Sequence, residues 1–199
     1  MEKQIKILGI AGSLRKQSYN RGLLQAALEM APSNCILEVF DLKEIPIFNQ
    51  DEEANLPQSV VQLKMKVRAA DAIFLATPEY DYSMPGVLKN ALDWGSRPYG
   101  DNAWDNKPVA IMGASPAMQG TSRAQYHMRQ VFVYLNMHPL NQPEVFVRNA
   151  KAAFNDDLSK LTDDKVREVV AKQLNALVAW TRRLSPNRPP LTASGRTSS

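Results

Sequence analysis

A doubly wound α/β domain, with five parallel strands and helices on both faces, is the fold these 199 residues predict. Two observations carry the prediction. Short, almost continuously apolar runs at Ile5 to Ile10, Ala72 to Ala76 and Val109 to Met112 read as parallel strands covered on both faces. Between them lie segments of helical period, so strand and helix alternate down the chain with short connections.

The elements follow in order. After the first strand, Leu23, Leu24, Ala27, Leu28 and Ala31 recur at helical spacing, and Pro32-Ser33-Asn34 ends that helix. Ile36 to Phe40 is the second strand, closed by Asp41. An irregular acidic stretch from Pro46 to Pro57 precedes a helix with Val60, Leu63 and Val67 on one face. Ala72 to Ala76, the third strand, leads through a polar loop to Pro85, which suits the first turn of a helix carrying Val87, Leu88, Ala91 and Leu92. The segment from Gly95 to Lys107 is turn-rich. Val109 to Met112 is the fourth strand, and a helix is expected from about Ser122 to Met137. That helix is apolar on two sides, Met128, Phe132 and Leu135 on one and Tyr126, Val133 and Met137 on the other. One side suits the sheet and the other a second subunit. Val145 to Val147 is the fifth strand, and Val166 to Leu184 the closing helix. Residues 1–184 thus form one domain, and Ser185 to Ser199, rich in Pro, Ser, Thr and Arg, is expected to be a disordered tail. Right-handed crossovers and a single five-stranded unit fit the flavodoxin-like strand order 2-1-3-4-5, with its ligand crevice outside the carboxyl ends of the strands.

Composition narrows the function. No run is long enough to span a bilayer, and the start, Met1-Glu2-Lys3-Gln4, has no secretory h-region, so a cytoplasmic protein is expected. Cys35 is the sole cysteine, which excludes an internal disulfide and a cysteine-based metal site. The net charge of +4 comes from cations interleaved with 20 acidic residues and from a basic tail, which argues against a nucleic-acid-binding stripe. His127 and His138 are the only histidines, and no Ser-His-Asp or paired-carboxylate arrangement emerges. Arg123, Tyr126 and Glu144 read as surface pairing or as a buried or intersubunit network. Chemistry carried by a bound cofactor, without metal, is the reading that remains.

Three polar loops, after strands one, three and four, crowd around the crevice. The first, Gly12 to Asn20, joins a buried strand to a helix N-terminus and carries Ser13, Arg15, Ser18 and Asn20. Those groups suit a doubly charged phosphate, and equally an ordinary turn capped by Ser18 or Asn20. Neither the Walker spacing nor Gly-x-Gly-x-x-Gly occurs. Asp41, where a ribose-binding acid would sit, tempers the second exclusion. The second loop, Pro78 to Gly86, is stiffened by Pro78 and Pro85 and offers Tyr80 and Tyr82 for stacking or for packing at an interface. The third, Gly113 to Thr121, permits close backbone approach through Gly113 and Gly120.

Gly12-Ser13-Leu14-Arg15-x-x-Ser18-x-Asn20, Thr77-Pro78-Glu79-Tyr80-x-x-Ser83-x-Pro85-Gly86-x-x-Lys89-Asn90-x-x-Asp93-Trp94, and Gly113 to Gly120 closely resemble the NAD(P)H-dependent FMN reductase family, which includes quinone, azo-dye and chromate reductases. The resemblance covers residues 5 to 147. It implies tightly but non-covalently bound FMN, with Ser13, Arg15, Ser18, Tyr19 and Asn20 around its phosphate. Pro78, Glu79, Tyr80 and Asp81 would line the isoalloxazine, although relatives often carry Asn at the position of Asp81. Ser115 would face the ribityl or ring side. The resemblance also implies NADPH or NADH as hydride donor, and flavin N5 rather than a catalytic side chain as the reacting group. Quinone, azo, flavin or metal-oxyanion acceptors are implied, as is a dimer or tetramer placing Tyr82, Lys89 or Asp93 near a neighbour's flavin. The alternatives are an electron carrier or a flavin-binding sensor without turnover.

Overall fold

The computed structural model describes residues 4–158 and 160–185. The expected tail therefore lies, from residue 186 onward, outside the described residues. The chain runs β1 (Ile5–Ala11), α1 (Tyr19–Glu29), β2 (Cys35–Phe40), α2 (Gln58–Ala69), β3 (Ala72–Ala76), α3 (Gly86–Gly95), β4 (Pro108–Ala114) and α4 (Ser122–Tyr134). It closes with β5 (His138–Pro139), β6 (Val145–Val147), α5 (Ala150–Ala153) and α6 (Asp164–Leu184).

Strand order is β2-β1-β3-β4-β5, every pair parallel, as the alternating pattern requires. Side-chain alternation splits the apolar runs between two cores. Ile7, Phe74 and Met112 face α1 and α6, where Leu23, Leu174 and Leu177 meet them. Leu8, Ile10, Ile73, Leu75 and Ile111 face the opposite layer, built from Val60, Leu63, Leu88, Leu92, Met128 and Phe132 on α2, α3 and α4. A sheet buried on both sides needs apolar residues at every position, which is why its strands read as runs rather than as alternations.

Two expectations are corrected. The sheet has six strands, not five: its far edge is split into β5, which pairs with Pro108 and Val109, and β6, which pairs with Met112 to Ala114. Two residues, one of them proline, give no periodic signal, and proline without its N–H suits such an edge. The fourth helix stops at Tyr134 rather than Met137, because Asn136 adopts φ 54° and ends it in a left-handed turn. Its sheet side is buried as expected; of the other side Tyr126 and Val133 are exposed, as is Tyr134, whereas Met137, past the helix end, turns into the core.

Candidate functional site

The parallel order reverses direction of winding between β1 and β3, and the loops after both strands open at their carboxyl ends. Backbone pairing sets them side by side: Gly12 N donates to Ala76 O, and Thr77 N donates to Met112 O. The third loop is clasped to the first by Asn20. Its buried amide accepts from Ala114 N at 2.9 Å and donates to Ala114 O at 3.0 Å. Both ends of that side chain are therefore engaged in holding two loops in register.

Between the three loops lies a cleft of about 270 Å³, lined by Ser13, Arg15, Ser18, Tyr19, Asn20, Pro78, Glu79, Tyr80, Ala114, Ser115 and Pro116. Of the residues expected near a cofactor, all but Asp81 line this cleft. Ala114 and Pro116, the neighbours of Ser115 in the third loop, line it as well.

The first loop keeps its donors available. Ser18 caps α1 by accepting from Arg21 N, and Ser13 Oγ accepts from Arg15 N at 3.3 Å. Each hydroxyl thus retains its proton for an acceptor in the cleft. The capping reading and the phosphate reading of Ser18 are compatible, since one oxygen accepts and donates at once. Arg15 is exposed and makes no intramolecular ion pair or side-chain hydrogen bond among the described residues. Tyr19 is steadied by Phe154, with ring centroids 5.6 Å apart.

The second loop is built more rigidly than its prolines alone would make it. Tyr80 and Ser83 exchange backbone hydrogen bonds across a two-residue turn in which Asp81 and Tyr82 have φ 49° and 65°. Both central residues in the left-handed region define a primed hairpin turn, which favours Asn, Asp and Gly. Asp81 sits at its apex, so backbone conformation accounts for the residue type there. Asp81→Asn is therefore expected to leave FMN affinity within about twofold, whereas Asp81→Val should strain the turn by about 1–2 kcal/mol. Flavin titration and thermal melts of both variants check this.

Glu79 points away from a ligand-facing role for its carboxylate. One oxygen accepts from Arg123 N at 3.0 Å and Ala124 N at 3.2 Å, capping α4, and the other meets the Arg123 guanidinium. The guanidinium lies 3.6 Å from the centroid of the Tyr82 ring. The hydrogen bond to Glu79 lifts the pKa of Arg123 above the ordinary arginine value, with burial opposing. Ser83 Oγ stands 3.0 Å from His127 Nδ1, a further tie from the hairpin to α4. Of Arg123, Tyr126 and Glu144, Arg123 joins Glu79, whereas Tyr126 donates to Glu144 at 3.0 Å in an exposed pair, which raises the tyrosine's pKa. Lys89 and Asp93 pair at 2.7 Å on the half-exposed face of α3. Among the described residues no three His, Cys, Asp or Glu side chains are placed to share a metal, and no helix is long and apolar enough to cross a membrane.

A family model for NADPH-dependent FMN reductase matches residues 5–152, which includes every loop of this cleft. The chain belongs to the NADPH-dependent FMN reductase family. It is an oxidoreductase, with FMN as cofactor and a reduced nicotinamide nucleotide as donor. An NAD(P)H-dependent FMN reductase of Pseudomonas aeruginosa is 50% identical over 185 residues, 92% of this chain and 99% of the relative. A 2-hydroxy-1,4-benzoquinone reductase of a Burkholderia species is 37% identical over 178 residues, 89% of this chain and 97% of the relative. Among solved structures, a flavoenzyme NAD(P)H:(acceptor) oxidoreductase from Paracoccus denitrificans superposes with a TM-score of 0.82 at 32% identity, covering 90% of this chain and 98% of the other. The family's cofactor fits what the cleft offers: two free hydroxyl protons, an unpaired guanidinium and a helix N-terminus for a phosphate, beside a stiff loop for a flat ring.

Proposed function

We propose that this reductase passes electrons from NADPH or NADH to quinones, with FMN held between the three loops. The observation that carries the reading is that one cleft gathers the anion-binding first loop and the proline-stiffened second loop. The relatives named for quinone reduction support the choice of acceptor. Ser13, Arg15 and Ser18, at the N-terminus of α1, hold the phosphate, with Tyr19 and Asn20 shaping its wall. The backbone of Pro78, Glu79 and Tyr80 orients the ring edge, and Ser115 stands on the ribityl side. Bound there, FMN would supply the two-electron redox chemistry between the nicotinamide and the acceptor. Tyr80, 51% exposed, sits at the mouth, and its ring helps keep water from that face. Azo compounds, free flavin and metal oxyanions are further acceptors of the same reading. Self-association as a dimer or tetramer belongs to it too, through exposed Tyr82, Tyr126, Val133 and Tyr134 and the Lys89–Asp93 face.

Purified protein should be yellow and should oxidise NADPH or NADH with benzoquinone; a colourless preparation that stays inert with added FMN defeats the proposal. Steady-state rates across an acceptor panel rank the alternatives. Arg15→Ala removes a charge-assisted contact worth about 1.5–3 kcal/mol, so FMN should bind about tenfold to a hundredfold more weakly. Because the Arg15 side chain holds no other described residue, the melting temperature of the apoprotein should not move.

A further inference from the structure

The Pro78–Glu79 peptide is held from both ends. Thr77, fully buried just past β3, donates its hydroxyl proton to Pro78 O at 2.8 Å and its N–H to Met112 O at 2.9 Å. The proline ring fixes φ at residue 78, so on that side one soft torsion, ψ, decides which way the next peptide plane faces. On the other side the Glu79 carboxylate is fastened to the start of α4. The Thr77 hydroxyl therefore selects the orientation. The peptide is trans, so its N–H points opposite to its carbonyl. With Pro78 O turned inward to Thr77, Glu79 N–H turns outward.

Outward here means toward the cleft between the three loops. Glu79 lines that cleft; its side chain is 5% exposed while the residue as a whole is half-buried, so the surface it shows is mostly main chain. Elimination leads to the same group. Pro78 has no N–H, and Tyr80 N–H donates to Ser83 O at 3.1 Å. Glu79 N–H donates to no acceptor among the described residues. From Pro78 to Tyr80 it is the main-chain donor left over for a ligand.

We propose that Thr77 is a positioning residue, whose buried hydroxyl, by locking Pro78 O, aims Glu79 N–H at the ring of bound FMN. The proposal rests on the reductase reading above. Reduction adds negative charge to the ring, and a hydrogen bond to a charged acceptor is stronger than one to a neutral acceptor. A donor fixed beforehand favours the reduced form with no reorganisation at the moment of reaction. Without the hydroxyl, Pro78 O is a buried carbonyl lacking a donor, and the peptide turns to bring it to water. The N–H then leaves the cleft. A side chain with no surface of its own thus sets how readily the flavin is reduced.

Thr77→Val keeps the shape and removes the hydroxyl, whereas Thr77→Ser keeps the hydroxyl. Both are titrated with FMN as apoprotein, and the midpoint potential of the loaded protein is measured against a reference dye. In Thr77→Val, oxidised FMN should bind about threefold to tenfold more weakly. Reduced FMN should lose about fivefold more than that, which lowers the two-electron potential by about 20 mV. Thr77→Ser should stay within about twofold of wild type in affinity. Wild-type affinity and potential in Thr77→Val, or a loss beyond about fivefold in Thr77→Ser, overturns the proposal. A crystal structure of FMN-free Thr77→Val reads the lock without the flavin. A Pro78–Glu79 peptide that is rotated or split between two orientations supports it, and an unchanged plane overturns it. A wild type that takes up no FMN would instead count against the reductase reading, and the FMN-free crystal structure would still decide what the hydroxyl does.

Discussion

Replacing Gly113 by alanine is expected to cost more than about 3 kcal/mol, enough to leave a domain of ordinary stability partly unfolded. Gly113 lies near the end of β4, where the sheet turns into the third loop. A Cβ there would stand 1.9 Å from Thr121 Oγ1 and 2.4 Å from the carbonyl oxygen of Thr77. Neither neighbour can yield. Thr77 is tied by its own N–H to Met112 O, and Thr121 is fully buried, with its hydroxyl accepting from Gln125 Nε2 at 3.0 Å. Relief would require β3 and β4 to part at the point where the second and third loops diverge. Urea unfolding of Gly113→Ala should show a much lower midpoint, and the protein should fail to retain FMN. Gly86→Ala is the control. Outside its chain neighbours and its own helix backbone, no atom lies within 4 Å of the Cβ it would gain, and the position opens α3, so its stability should match wild type or rise by up to about 1 kcal/mol. A Gly113→Ala protein that unfolds within about 1 kcal/mol of wild type would show that the loops can separate, contrary to the packing around Thr121.

The layer architecture was legible because burial on both faces writes itself as apolar runs, and because the carboxyl ends of those runs led into loops rich in polar and small residues. The cleft was legible for the same reason: strand order brings loops one, two and three together whatever their detailed contacts. What escaped the sequence depends on partners far apart in the chain. Asn20 looked like a phosphate ligand or a cap, but its amide closes on Ala114 at both ends. Glu79 looked like a group facing the ring, but its carboxylate serves a helix whose first residues lie 44 positions later. Asp81 looked like a contact, and its positive φ gives it a conformational reason to be there. The short β5 escaped because two residues leave no period to detect. In each case local pattern identified the residue as unusual, and only the fold could say what it was attached to.

Glu79→Ala is expected to lower stability by about 2–3 kcal/mol and to weaken FMN binding about tenfold, although its carboxylate does not face the ligand. The Glu79 side chain is 5% exposed and accepts the hydrogen bonds that the start of α4 gives to the second loop. Thr121, the residue in the capping position, accepts from the Gln125 side chain but caps no backbone N–H of the helix, so it does not replace Glu79 there. Its removal leaves two backbone N–H groups and a guanidinium without their acceptor. A fully buried pair broken on one side costs about 3–5 kcal/mol; the Arg123 side chain is 34% exposed, so water recovers part of that here. The effect on FMN follows from geometry rather than from contact. Once Arg123 is no longer held by Glu79, it ceases to fix Tyr82, and the hairpin that aims the backbone of Pro78 to Tyr80 must be ordered at the moment of binding. Glu79→Gln separates charge from shape: its amide oxygen can still accept from Arg123 N and Ala124 N, so most of the flavin affinity should return while the ion pair does not. The double variant with Arg123→Ala should be less destabilised than the two single changes added together, by at least about 1 kcal/mol, because the same partnership is removed twice. FMN dissociation constants measured well below the melting temperature keep the two effects apart. Equal flavin affinity in Glu79→Ala and wild type would mean that the hairpin holds its conformation without Glu79, through its prolines, the Tyr80–Ser83 backbone pair and the Ser83–His127 contact.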